Sequence, residues 1–89
     1  MQAVISVVGR DRVGILKDIA TKCADHNVNV IDVSQTVLRD MFTMIMLVDI
    51  SKIDIKFGDF SAEMENYGKG IGMEIRAMHE DIFNSMHRI

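Results

Sequence analysis

A glycine pair around a charged segment is the first place where this sequence could do chemistry. In VVGRDRVGIL, residues 7–16, Gly9 and Gly14 have the G-x-x-x-x-G spacing of a phosphate-binding loop between a strand and a helix. That loop needs Lys and then Ser or Thr after its second glycine, to hold the phosphates and Mg²⁺. Ile15 and Leu16 stand there instead, and the three-glycine dinucleotide fingerprint is missing as well. The residues therefore argue against a nucleotide site at this corner.

A helix that starts at this corner still favours an anion. Its first N–H groups have no partner inside the helix, and the helix dipole adds positive potential there. Arg10 and Arg12 bring further positive charge, and Asp11 can cap the helix or accept a hydrogen bond from an ammonium group. The combination suits a zwitterion such as an amino acid. A plain capped turn, with Asp11 as N-cap, is the simpler alternative from the residues alone.

Other catalytic or metal-binding patterns are weak. The three histidines are scattered, although His79, Glu80, Asp81 and His87 could supply metal ligands from one end of the chain. Solvated groups around a terminal helix explain the same residues more simply. Asp11 has no nucleophile or base beside it in the pattern. We therefore predict a protein that is not an enzyme and that carries no metal or cofactor.

Bulk composition limits the partners. The chain has 89 residues, 48% hydrophobic and 26% charged, and a net charge of -3, which argues against nucleic acid as the main partner. A chain this short buries about 60–65% of its unfolded surface, so association between copies is expected. The single Cys23 lies in an apolar helical pattern and is predicted to be a buried hydrophobe in a reducing, cytoplasmic setting. No apolar segment approaches the ~20 residues of a membrane span.

Hydrophobic periodicity predicts one domain with the order βαββαβ and a helical tail. The predicted core covers residues 1–79 and the tail residues 80–89. Ser51 is taken as a near-cap of the second helix, and the glycines at 68, 70 and 72 as its end. The predicted elements are strands 3–8, 28–38, 42–50 and 73–78, helices 13–24 and 51–71, and a terminal helix 80–89.

Two apolar faces follow from this assignment. The first helix is predicted to bury one stripe, and the second strand to place its apolar residues on one face. The predicted stripe comprises Val13, Ile15, Leu16, Ile19, Ala20, Cys23 and Ala24. The predicted strand face comprises Ile31, Val33 and Val37 with Gln35, opposite Val30, Asp32, Ser34 and Thr36.

The fold class implied is α+β and ferredoxin-like, a four-stranded antiparallel sheet with two helices on one face. Residues 42–50 are apolar on both sides, so the second sheet face would also be apolar. Such a face is adhesive when it is left bare. It must be covered by the terminal helix, by another copy, or by both.

The corner, the helix end and the start of the second strand together resemble the ACT domain, a small regulatory module of amino-acid metabolism. That family shows a strand, a G-x-D/N-x-x-G-(I/V)-L corner, a helix ending near Asn, and a strand that begins N-(I/V). The matching residues are Gly9, Asp11, Gly14, Ile15, Leu16, Asn27, Asn29 and Val30. Val13 stands where the family commonly has Pro. The element order fits the family over the whole chain.

The sequence FTMIMLVDIS and the ending HEDIFNSMHRI resemble, more narrowly, small bacterial and archaeal ACT proteins that are grouped with the glycine cleavage system regulator. The resemblance implies regulation rather than catalysis, copies paired side by side or face to face, and amino-acid effectors at the interface. A dimerisation or protein-docking module without ligand is the alternative. With Arg10 added for its charge, the predicted ligand-binding residues are Gly9, Arg10, Asp11, Val13, Gly14, Ile15, Leu16, Asn27, Asn29 and Ile31.

Overall fold

The computed structural model describes residues 1–10 and 13–86, and it confirms the predicted α+β, ferredoxin-like architecture. Four antiparallel strands form one sheet in the order β2-β3-β1-β4. The terminal helix predicted from the sequence is also present. The elements are β1 (Gln2–Arg10), α1 (Ile15–Asp25), β2 (Asn29–Leu38), β3 (Met41–Asp49), α2 (Phe57–Ile71), β4 (Glu74–His79) and α3 (Glu80–Met86).

The core lies between the sheet and helices α1 and α2. Because side chains alternate along a strand, every second residue of β1, β3 and β4 faces these helices. Apolar side chains from α1 and α2 complete the layer. Its largest fully buried members include Ile5, Ile19, Met44, Met46, Phe60, Met64 and Ile75. This packing fixes where α1 begins and ends, and so where the predicted corner and strand start lie.

The sheet face opposite α1 and α2 is unevenly exposed. Helix α3 packs against β1 and β4. Val4 points away from the helix layer and is nevertheless buried, with 4% of its surface exposed. Over β2 and β3, in contrast, Leu38 and Met41 stay 73% and 48% exposed. No side chain of α3 is buried, so the covering of this face by the terminal helix, by another copy, or by both stays a prediction.

The predicted stripe of α1 is wrong at its edges. Ile15, Ile19 and Cys23 are buried, one residue per turn, so a single line of side chains meets the sheet. Val13 is 97% exposed because the helix begins at Ile15 and residue 13 lies in the preceding turn. Ala24 is also exposed, and Leu16 is 37% exposed.

The predicted faces of β2 are wrong at its start because the strand carries a β-bulge. Val30 pairs with Val48, and Asp32, two residues on, already pairs with the next residue of β3, Leu47. Ile31 is the extra residue, so Val30 lies on the same sheet face as Val33. Regular alternation would have placed those two valines on opposite faces.

Helix α2 begins six residues later than predicted, at Phe57, after the turns and bends of residues 51–56. Ser51 is no cap of this helix; its backbone N–H and its hydroxyl both donate to Asp49. Gly68 and Gly70 lie inside α2, and the helix ends at Gly72, which has the left-handed φ of 73°. The glycine run thus marks the helix end only at its last member.

Candidate functional site

The predicted corner joins β1 to α1, and both of its glycines have a structural reason. A Cβ at Gly9 would lie 3.0 Å from Met73 Cγ and 3.2 Å from Met73 Cα. The end of β1 therefore lies in close contact with the residue that precedes β4. Gly14 is the N-cap of α1 with φ 87°, a conformation that favours glycine. No side chain caps this helix start among the residues described, and the predicted cap, Asp11, lies outside them together with Arg12.

The helix start keeps the features that favour an anion. Asp18 donates its N–H to the Gly14 carbonyl at 2.9 Å, which is the first turn of α1. The N–H groups ahead of it point out of the helix end. Leu16 and Val13 are exposed beside them, and Arg10 is exposed with its Nε 3.9 Å from Asp40 Oδ2. An exposed ion pair of that length leaves Arg10 available to a ligand.

The other predicted half of the site lies at the far end of α1. Asn27 has the left-handed φ of 58° that Asn tolerates better than most residues. It follows the helix closure, in which the N–H groups of Asn27 and Val28 donate to Ala24 and Cys23. An open hollow of about 490 Å³ lies here. Its lining residues are Ala24, Asn27, Val28, Asn29 and Lys52.

Three lining residues, Ala24, Val28 and Lys52, lie outside the predicted site, and Lys52 is the charged one among them. It lies in the link between β3 and α2, and the pairing of β2 with β3 brings that link beside the start of β2. No local sequence pattern indicates Lys52, because it is far from Asn29 along the chain. Only the pairing of β2 with β3 brings the two residues close together. The predicted residue Ile31, in contrast, sits at the bulge, 45% exposed, and does not line the hollow.

Within one chain the two predicted halves lie at opposite ends of the sheet. Gly9 pairs with Phe42, at the end where β2 finishes. Asn29 pairs with Asp49, which pairs in turn with Gln2 at the other end of β1. Seven residues of strand separate Gln2 from Gly9, a length of about 23 Å. A single copy therefore cannot contact one small ligand with both halves.

His26 forms a charged junction next to the hollow. Its Nε2 lies 2.9 Å from Glu63 Oε1 of α2, and its Nδ1 lies 3.1 Å from Asp54 Oδ1. The imidazole and the Phe60 ring form a T-shaped pair, with ring centroids 6.0 Å apart. Lys22 Nζ lies 3.9 Å from the second Glu63 oxygen. The junction ties the end of α1 to α2 and to the 51–56 link that carries Lys52.

Two carboxylates on one imidazole favour its doubly protonated form. The hydrogen bond to Glu63, followed by the one to Asp54, raises the pKa of His26 above its ordinary value of 6.5. A raised folded-state pKa stabilises the fold fully below the unfolded-state value. That contribution is lost as the pH rises through the folded-state pKa. The junction should therefore weaken as the pH rises above about 6.5.

Replacing Glu63 by Gln tests the junction. We expect the free energy of unfolding at pH 6 to fall by about 1 kcal/mol, because a partly exposed charge-assisted hydrogen bond is lost. The difference from wild type should shrink as the pH rises toward 9. Urea unfolding across this range measures it, with Glu65→Gln, an exposed position on the same helix, as the control. An equal loss at every pH would contradict the charged junction.

Cys23 has no reactive character, since burial raises its pKa to about 11. Over residues 1–10 and 13–86, no group of three or more His, Cys, Asp and Glu side chains could hold a metal ion. The weak metal hypothesis also involved His87, which lies outside the described residues. Among the helices described there, none is long and apolar enough to cross a membrane.

Comparison with known proteins places this fold and these motifs in one family. The ACT domain profile matches residues 1–78. A UPF0237 protein from Methanopyrus kandleri is 44% identical over 88 residues, which cover 99% of this chain and 98% of that protein. The solved ACT domain protein from Streptococcus pneumoniae is 36% identical, covers 93% of each chain, and superposes with a TM-score of 0.79.

A candidate glycine cleavage system transcriptional repressor has the same fold. It superposes with a TM-score of 0.70 over 85% of this chain and 43% of its own, at 22% identity. That likeness, below 25% identity, concerns the fold alone. The relation to ACT proteins that was predicted from the corner and from the chain ending is confirmed. The chain belongs to the ACT domain family and, within it, to the UPF0237 proteins.

Proposed function

We propose that this protein is a cytoplasmic regulatory ACT protein that binds a small effector, an amino acid, between two copies of the chain. The observation that carries the proposal is the separation of the two candidate half-sites. The corner of residues 9–16 and the start of β2 lie at opposite ends of one sheet. A second copy is needed to bring one half-site of each kind together.

The free edge of the sheet offers a way to do so. Strand β2 is an edge strand of ten residues, and most of its side chains are exposed. A long unprotected edge readily pairs with another strand. If β2 pairs antiparallel with β2 of a second copy, a two-fold axis passes near Ser34, at the middle of the strand. The β2 start of one copy then lies at the same end of the joint sheet as the corner of the other.

The chemistry of the two half-sites suits an amino acid. The start of α1 favours a carboxylate, and Arg10 adds positive charge there. In the sequence, Asp11 stands between Arg10 and this helix, and its carboxylate is the proposed acceptor for the amine. Asn27 and Asn29 would contribute carboxamides from the partner's side. Because ligand binding would bridge two copies, it would stabilise one assembly by differential affinity, which is how a regulatory signal passes to a partner protein.

Titration of amino acids into wild type, Asp11→Ala and Ser34→Lys tests the proposal. Wild type should bind at least one amino acid saturably at millimolar concentration or below. Asp11→Ala should bind at least about tenfold more weakly, because the amine loses a charged acceptor. Ser34→Lys should bind weakly and also dissociate, since two added charges meet at the axis. Calorimetry and light scattering measure affinity and mass.

Ser85→Lys is the matched control, because Ser85 is exposed on α3 and away from β2. It should leave both mass and affinity unchanged. Dissociation by Ser85→Lys but not by Ser34→Lys would mean that copies pair through the sheet face instead. Failure of wild type to bind any common amino acid would remove the effector part of the proposal.

A docking module without ligand is the second candidate. The sheet face opposite α1 and α2 favours it, because Leu38 and Met41 are exposed there. On α3, Ile82 and Met86 are 52% and 66% exposed as well. Apolar surface of this kind is typical of protein contacts. This candidate requires assembly or partner binding that is indifferent to every amino acid tested.

A further inference from the structure

We propose that the effector of this protein is an acidic amino acid, and that Lys52 is the residue that selects it. The inference rests on the proposed function and names the ligand class of the same site. Its basis is the hollow at the end of α1, which is lined by two carboxamides, one ammonium group and an apolar floor. These groups would meet the side chain of an amino acid held at the partner's corner.

The polar groups of the hollow are not used by the fold. Among the residues described, no hydrogen bond or ion pair holds the side chains of Asn27, Asn29 or Lys52. An ammonium group offers three donors, and each carboxamide offers two more. All of them can donate to a carboxylate, and charge-assisted hydrogen bonds are the stronger kind. A carboxylate therefore satisfies this lining better than a neutral side chain does.

Two acidic residues beside the link that carries Lys52, Asp49 and Asp54, already have partners. Asp49 accepts from Ser51, whose hydroxyl and then backbone N–H lower the pKa of that carboxyl. Its oxygen is also 3.9 Å from the terminal ammonium group of Met1. Asp54 is held by His26. The charge of Lys52 also lowers the pKa of Asp49, but no ion pair or hydrogen bond joins the two side chains among the residues described. The ammonium group therefore keeps its donors for a ligand.

Shape agrees with a short, flexible acidic side chain. Ala24 and Val28 supply apolar surface against which methylene groups can pack. The hollow is about 490 Å³, within the common range for ligand sites, and it is open until another surface closes it. A leucine or valine side chain there would cover the Lys52 ammonium group and the carboxamides without pairing them. Unpaired buried polar groups are what makes such sites reject the wrong ligand.

Calorimetric titration of the full chain with glutamate, aspartate, serine, leucine and valine at constant ionic strength tests this assignment. Wild type should bind glutamate or aspartate at least about tenfold more tightly than leucine or valine. Lys52→Gln should lose that preference, through weaker binding of the acidic ligands alone. Lys56→Gln removes the same charge from the same link at an exposed position outside the hollow, and should keep the preference.

The outcomes separate the two proposals. Equal or tighter binding of leucine or valine by wild type would overturn the acidic assignment and leave an amino-acid site in place. Glutamate binding by Lys52→Gln at wild-type affinity would also overturn it. Absence of binding by all five amino acids would overturn the acidic assignment, and absence of binding by every common amino acid would remove the effector part of the proposed function. Circular dichroism of each variant confirms that the fold is retained, since Lys52 is exposed and supports no packing.

Discussion

Replacing Gly68 by Ala is expected to lower the free energy of unfolding by about 2–3 kcal/mol. Gly68 is buried where α2 crosses the start of β4. A Cβ there would lie 2.6 Å from the Met73 carbonyl oxygen and 2.9 Å from Ile75 Cγ1. Because this oxygen belongs to the backbone, no side-chain rotation can relieve the clash. The helix must therefore move away from the strand.

Gly70 is the control, two residues further along the same helix. A Cβ at Gly70 meets nothing within 4 Å, and the position is exposed. Gly70→Ala should raise stability by about 0.5–1 kcal/mol, because Ala loses less backbone entropy than Gly in a helix. Urea unfolding compares the two variants with wild type. Equal effects of the same sign would mean that α2 does not approach β4 as closely as described.

The glycine pair also shows what local patterns could and could not predict. Three glycines in five residues at 68–72 predict a helix end, and Gly72 provides it. The need for Gly68 comes from a neighbouring strand, and the contact is set by helix packing rather than by local sequence. The β-bulge at Ile31 could not be predicted for the same reason, because it depends on pairing with the neighbouring strand β3. Element order was predictable because strong periodicity and the short predicted link of residues 39–41 between the second and third strands constrain it.

The candidate site divides along similar lines. Its corner and the start of β2 were predictable from glycine spacing, from the helix start and from the resemblance to ACT domains. Lys52 was not, because it reaches Asn29 only through the β2–β3 pairing. The opposite placement of the two halves was not predictable either, since it follows from the length of α1 and the strand register. The opposite placement of the halves is the basis for proposing that a second copy completes the site. The position of Lys52 is the basis for proposing a ligand with an acidic side chain.

Phe60→Ala is the substitution with the largest expected cost. The ring is fully buried beneath α2, and truncating such a phenylalanine typically costs about 3–5 kcal/mol. Domains of this size unfold at about 5–15 kcal/mol, so the variant should melt well over ten degrees below wild type. Phe57→Ala, at a half-buried ring on the same helix turn, should cost less. Thermal unfolding followed by circular dichroism provides the comparison.

The Phe60 ring also supports the charged junction. The coupling between Phe60→Ala and Glu63→Gln therefore gives a second measurement, which loss of core packing alone would not change. The His26 ring forms a T-shaped pair with Phe60, while Glu63 and Asp54 hydrogen bond to its two nitrogens. Without the ring, we expect the imidazole to shift and its protonation to add less stability near pH 6. The effects of Phe60→Ala and Glu63→Gln should then sum to more than the loss in the double variant. Additive losses at pH 6 would show that the junction stands without Phe60 and that the ring only fills the core.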